Sequence, residues 1–523
     1  IPCSACYWAQ ALPLGVDINR ATQSEPDRKA AKAALHRAIE ANPNAEDWEM
    51  IRALFGRYQD CNVKNEKGEE DEKKCQQIRN ESYYHGMKRV LETFGKDDPN
   101  VITLFADSVM NLSKGYWEPD GSPVSERVTE ARDALERALK FGQYPPNEGP
   151  IHWYIHLMEQ SLTPDAVQQY ADLLAPISPF SPLAPNAGHL LHMPSHIYYR
   201  MGDMKNVIRV NKEAIAADER YLSSEPNLYR PDGDRYKYGF YTHNIYFLLA
   251  AAVLSGDDKE RDVDRFAEKL FESTPDKADG FLADKFRSVY YLAKLNFSST
   301  ANIRKFAAPN PFDQQPLANV AYDYAQLMAD IWDGKDSTQS AGKFDADIAK
   351  FQNAAATGER NAGRDKGPKS TKSDLRLAAI LSFLGHARMG ASKGDWDAAV
   401  TAARGAVDIQ DKLYYEEPPL WLYPARQTLA SVLIRRAEVD GPRAREYLAE
   451  AKQELLKSLN KSPEGNPNPQ IRTGTYPGNA WAYYGLWKIA NRDGSSQPDI
   501  DRARADLDDH WFGTAEFLNL YRL

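Results

Sequence analysis

The sequence predicts an all-α protein: a right-handed superhelix of antiparallel helix pairs stacked in an array. Three observations carry this. Apolar residues recur with helical spacing along almost the whole chain, and no convincing alternating strand interrupts them. One helical phrase repeats, with small residues at the contact positions and a Gly-Asp turn followed by Met or an aromatic ring. At 523 residues the chain is longer than one compact core comfortably becomes, so it divides into domains or extends as repeats.

Taken in order, CYWAQALPLG reads as the first helix of a pair. Its second helix is RKAAKAALHRAIEANP, where Ala31, Leu35, Ala38 and Ile39 form one stripe ending at Asn-Pro. The chain opens in mid-array, so the native polypeptide is expected to extend upstream by a further repeat. VTEARDALERALKFGQYPP, RMGDMKNVIRVNKEAIAADE and KGDWDAAVTAARGAVDIQDK repeat the pattern. In the last two, Gly202-Asp203-Met204 and Gly394-Asp395-Trp396 precede Val207 and Ala399, small residues that let antiparallel helices approach closely. This phrase resembles the tetratricopeptide repeat, a helix pair of about 34 residues that buries its apolar face only against neighbours.

Three stretches rich in turn formers interrupt the array: residues 300 to 316, 353 to 373 and 463 to 479. The expected organisation is an N-terminal block over 1–299, a helical linker region with surface loops over 300–373, and a C-terminal block over 374–523.

Net charge is −9 without any basic block, which excludes nucleic-acid tracking, and no apolar run approaches the roughly 20 residues of a membrane span. Cys61 and Cys75 flank a solvated charged loop, and a disulfide between them is worth roughly 3 kcal/mol by chain entropy. Such a bond suits an extracytoplasmic, periplasmic or secreted, location. Cys3 and Cys6 leave four readings open: a reduced pair, a strained disulfide, a metal half-site or a redox motif. Sequons at Asn80, Asn111, Asn296 and Asn460 fit a secreted glycoprotein.

Five of the ten histidines fall between residues 152 and 196. In GPIHWYIHLMEQSL, His152 and His156 stand i, i+4 on one helix face. In GHLLHMPSHIYYR, His189, His192 and His196 share a face only if the helix survives Pro194. That residue removes a backbone donor and meets the carbonyl of Leu190, at a cost of about 3 kcal/mol. A bend there would turn His189 away. YGFYTHNIYFLLAAAV adds His243. Imidazoles at this spacing share a metal ion when a facing helix completes the set. The candidate ligands are His152, His156, His192 and His196, with His243 as an alternative or supporting member; the cofactor is left open, a transition metal such as zinc or copper being the candidate. Trp153 and Glu159 are candidate pocket residues beside them, Glu159 one turn after His156 as a candidate general base. The competing account is a packed helix seam in which these histidines bond carbonyls.

YYEEPPLWLYPARQ ends one helix at adjacent prolines and sets Trp421, Tyr423 and Arg426 at the start of the next. Rings beside a guanidinium can form a pocket for an acidic or planar ligand, but such residues more often fill a helix junction, which is the favoured reading here.

Together HWYIHLMEQS, HLLHMPSHIYYR, THNIYFLLAA and YYEEPPLWLYPARQ resemble a large group of bacterial tetratricopeptide-repeat proteins marked by a His-Met-Pro-Ser-His-Ile motif. The resemblance covers nearly the whole chain and implies the helical-repeat fold. It also points to His152, His156, His192, His196 and His243 as the functional centre. The insert between Cys61 and Cys75 departs from the group's compact connection. The leading functional expectation is a non-catalytic binding or scaffolding protein with a protein or peptide partner and a histidine-held metal. A metal-dependent enzyme and an end-to-end filament, for which AEFLNLYRL would cover a neighbour, are the alternatives.

Overall fold

The computed structural model describes the chain except residues 1–2, 21, 141–145, 178–180, 225–235, 257–260, 275–280, 357–371, 420 and 463–474. The described residues are helical throughout, with short 3₁₀ turns, one π-type segment at Tyr236–Tyr241 and no β-strand. The all-α expectation therefore holds. The chain divides into two compact units, Ile1–Leu174 and Ala175–Leu523.

Unit 1 contains α1 (Ser4–Ala11), α2 (Glu25–Glu40), α3 (Ala45–Arg57), α4 (Glu72–Thr93), α5 (Pro99–Met110), α6 (Glu126–Lys140), α7 (Glu148–Met158) and α8 (Gln168–Leu174). Side-chain caps start most of them: Ser24, Asn44, Asp71, Asp98 and Asn147 each accept a backbone N–H in the first turn of the helix they precede. On α2 the buried stripe is Ala31, Ala34, Leu35 and Ala38, while Ile39 stays at its edge. Successive helices pack as neighbours, and α3 lies so close to α4 that a Cβ on Gly86 would come within 2.6 Å of the Ala53 Cα. The core of this unit also encloses a charge pair, Arg57 and Asp107 at 3.6 Å, with the guanidinium over the Tyr83 ring at 4.4 Å. Burial pushes the Asp107 carboxyl upward, and Arg57 and Asn111 pull it back.

Both cysteine pairs are bonded, Cys3 to Cys6 and Cys61 to Cys75. This resolves the open reading of CSAC, whose Cys3 also caps α1 by accepting from the Cys6 N–H. Two disulfides are the chemistry of an oxidising, extracytoplasmic environment. No helix among the described residues is long and apolar enough to cross a membrane. Among the sequons, Asn80 already donates to the Asn111 carbonyl, Asn111 to Asp107, and Asn296 is buried.

Unit 2 runs through α9 (Gly188–His192), α10 (Pro194–Met201), α11 (Met204–Ser224), α12 (Thr242–Ser255), α13 (Asp262–Ser273), α14 (Phe281–Leu295), α15 (Thr300–Ile303), α16 (Pro316–Trp332) and α17 (Thr338–Ala356). It continues with α18 (Lys372–Ser392), α19 (Trp396–Gln410), α20 (Ala425–Val439), α21 (Ala444–Ser458), α22 (Ala480–Ala490) and α23 (Gln497–His510). Gly202 ends α10 with φ +83°, the left-handed cap that the Gly-Asp signal requires.

The block boundaries expected at 299 and 373 do not separate anything in this unit. Leu317, Ala318, Phe344 and Phe351, from the supposed linker, belong to one apolar core with residues from both sides of it. The late helices also return onto the early ones. Trp481 donates to the Val253 carbonyl at 2.9 Å, the Phe512 amide to Ser255 at 2.8 Å, and the Tyr423 hydroxyl to Leu292 at 2.9 Å. The terminal segment that could have covered a neighbour packs on its own unit instead: Leu523 is fully buried and the Tyr521 carbonyl accepts from Arg388. The loop at 353–373 lies mostly, and that at 463–479 largely, outside the described residues.

Candidate metal centre

The break at Pro194 is real but slight. α9 stops at His192 and α10 begins at Pro194, yet Met193 between them keeps helical angles, φ −51° and ψ −39°. The missing proline N–H interrupts the hydrogen-bond ladder without redirecting the chain. His189, His192 and His196 therefore stay on one side. The expectation that His189 turns away fails, because its ring stacks beside His192 with centroids 6.0 Å apart and also meets Phe240 at 4.8 Å.

His192 is fully buried and His196 nearly so, and α12 brings His243 to them from the opposite side. The Nε2 atoms of His192 and His196 are 3.0 Å apart, and the three imidazoles each offer a ring nitrogen within 4.8 Å of the others. Two nitrogens bound to one ion at about 2.0–2.1 Å are separated by about 2.9 Å at a right angle and about 3.3 Å at the tetrahedral angle. The observed spacing falls in that interval. His243 is only half-buried, so the group has an accessible side.

The far sides of the two buried rings show why they point inward. Asn211 Oδ1 lies 2.7 Å from His192 Nδ1, and the Asn211 amide nitrogen donates to the Val207 carbonyl at 2.8 Å, which assigns the oxygen to the imidazole. His192 must then carry its proton on Nδ1, where Ser195 Oγ also approaches at 3.2 Å. Glu417 Oε2 stands 2.6 Å from His196 Nδ1 and, as a carboxylate, accepts the proton of that nitrogen. The two Nε2 atoms then face each other across 3.0 Å, where a proton or a metal cation between them lets both nitrogens act as acceptors. Burial, followed by the neighbouring His243, His196 and His189, holds the pKa of His192 well below the usual histidine value, so this ring stays neutral as a metal ligand must.

Apolar and polar supports fix the three rings. Phe247, fully buried one turn after His243, meets His192, His196 and His243 with centroids at 4.9, 5.0 and 5.6 Å. Asn244 donates to Asp218 at 2.8 Å, and Tyr236 donates to the same carboxylate at 2.5 Å. Asp218 also explains Gly188 at the start of α9, since a Cβ there would lie 1.8 Å from Asp218 Oδ1.

The other expected residues are placed as follows. His152 and His156 share a face of α7 in unit 1, with ring centroids 5.0 Å apart, and Trp153 borders both. Glu159 is buried with Oε1 3.6 Å from His156 Nδ1. Of the two readings of Trp421, Tyr423 and Arg426, the contacts fit the helix junction favoured from the sequence. Arg426 is engaged by the carboxylates of Glu454 and Asp411, Tyr423 by the Leu292 carbonyl, and Trp421 is buried in the core. They fill a helix junction. The residue of that stretch that reaches the histidines is Glu417, 221 positions from His196, which the sequence reading passed over although it stands beside the prolines that drew attention there. Asn211 and Phe247 were missed too, since neither breaks the local helical pattern.

The chain matches no protein-family model and no curated protein.

Proposed function

We propose that the protein is a metal-binding helical-repeat protein whose centre is the imidazole trio of His192, His196 and His243. The observation that carries this is the 3.0 Å approach of two buried Nε2 atoms whose opposite nitrogens are held by Asn211 and Glu417, with a third imidazole at hand. A shared proton would also relieve two facing lone pairs, but it has no use for a third ring. Three neutral imidazoles suit zinc or copper, and carboxylate or amide partners on the outer nitrogens are the usual supports of such ligands. The packing of each helix on the next supports a tetratricopeptide-like array as the scaffold, one whose late helices also return onto earlier ones, and a protein or peptide as the partner class. The two disulfides support an extracytoplasmic setting.

Elemental analysis of native protein beside His243→Ala tests this. His243 is half-buried at the edge of the group, so its loss leaves the core packed. The wild type should hold a transition metal that the variant loses or binds at least ten-fold more weakly; equal content in the two contradicts the reading. A metal-dependent hydrolase is the second reading, favoured by the number of imidazoles: three protein ligands leave a coordination position for water. Metal-dependent ester or peptide hydrolysis that disappears in His243→Ala would establish it.

A further inference from the structure

Glu417 does more than orient one ring. It belongs to a 14-residue connection between α19 and α20, residues 411 to 424, whose described residues contain no helix, and connections of this length without structure of their own are uncommon inside compact domains. Trp421 and Leu422 anchor the end of the connection in the core, but over residues 414–419 the contacts are mostly peripheral. Tyr415 lies under Arg200 at 5.7 Å, Glu416 is half-exposed and 4.0 Å from Lys285, and the Pro419 carbonyl accepts from Tyr246 at 2.7 Å. Glu417 and Pro418 are the exceptions: Pro418 is buried, and the Glu417 side chain is 4% exposed and meets a ring that is equally buried.

Resting on the metal reading above, we infer that metal binding at the three histidines and seating of residues 414–419 are one linked equilibrium, carried by the bond between Glu417 and His196. A cation on His196 Nε2 draws electron density from the imidazole, which strengthens the Nδ1–H as a donor to the carboxylate. The carboxylate in turn offsets positive charge that three neutral ligands leave uncompensated in a buried site. Each event favours the other by the same factor, because linkage is reciprocal. The segment that closes over His196 therefore reports whether the centre is filled. The linkage also ties α9, α10 and α12, which carry the ligands, to α19 and α20, which the strap joins.

Hydrogen exchange read by mass spectrometry, with zinc alone as the probe, tests this on the full chain. In the wild type, saturating zinc should slow exchange of peptides covering 411–419 by ten-fold or more. Glu417→Ala should still bind zinc, on the order of 10–100-fold more weakly, and at saturation its strap should exchange as in the metal-free protein. Glu417→Gln, which keeps an acceptor but no charge, should recover part of the protection. Calorimetry on the same samples separates the two claims. Zinc bound with no change in strap exchange overturns the linkage and leaves the metal reading intact; no zinc bound overturns both. Unchanged zinc affinity in Glu417→Ala also overturns the linkage.

Discussion

Replacing Asp218 with Asn should make the protein more stable at neutral pH, and the gain should vanish in acid. Asp218 is fully buried between α9, α11 and α12, and burial pushes its pKa up to about 6, against the opposing pull of Tyr236 and Asn244. The folded state thus holds this proton more tightly than the unfolded chain, whose carboxyl titrates near the ordinary value of 3.8. Stability falls with pH wherever the folded state binds more protons, so the loss runs from about pH 4 to about pH 6 and is complete above that. A displacement of about two units, at about 1.4 kcal/mol each, makes the cost of the ionised group at pH 7 about 3 kcal/mol. The introduced carboxamide would keep both bonds, its oxygen accepting from Asn244 and its amide donating to the Tyr236 oxygen, without the charge. Urea unfolding of the wild type and Asp218→Asn at pH 4, 5, 6 and 7 should show a difference that grows to about 3 kcal/mol by pH 7 and then levels. A difference that is flat across the series, or that favours the wild type increasingly toward pH 7, refutes the argument.

Gly188→Ala forces a Cβ into the same carboxylate, so thermal unfolding should show a loss of about 1–3 kcal/mol. Combining it with Asp218→Asn should not restore stability, because the side chain there is no smaller. In unit 1, Arg57→Met leaves Asp107 buried without its cation and should cost about 3–5 kcal/mol in chemical denaturation; adding Asp107→Leu should recover much of that. Replacing Cys61 and Cys75 together by Ser should lower stability by roughly 3 kcal/mol, visible as a lower unfolding midpoint under non-reducing conditions.

Local physics was legible in the chain. The stripe of α2, the Gly-Asp turn at Gly202 and the interruption at Pro194 follow from residues within a turn or two of one another. So does the shared face of His192 and His196, which the trio inherits. His243 was recognised as a candidate but ranked below the pair on α7, because spacing within a helix is readable and the meeting of α10 with α12 is not. The same limit hid Glu417, whose partner is 221 residues away, and the carboxylates of Glu454 and Asp411 that hold Arg426. The division by contacts, at 174/175, was not legible for a related reason. Turn-rich sequence at 300–316 and 353–373 marks where the chain leaves a helix, but whether helices on either side share a core depends on contacts such as Trp481 with Val253. An array in which each repeat touched only its neighbours would have no such contact.

The central claim is that three imidazoles of unit 2 hold one metal ion. X-ray absorption at the metal edge of the zinc-loaded protein tests it most directly, in a variant with His152→Ala and His156→Ala so that α7 contributes no imidazole. The account predicts one ion per chain with three imidazole nitrogens at about 2.0–2.1 Å. A loaded site with fewer than three imidazoles, or a protein that leaves zinc in solution, would contradict it.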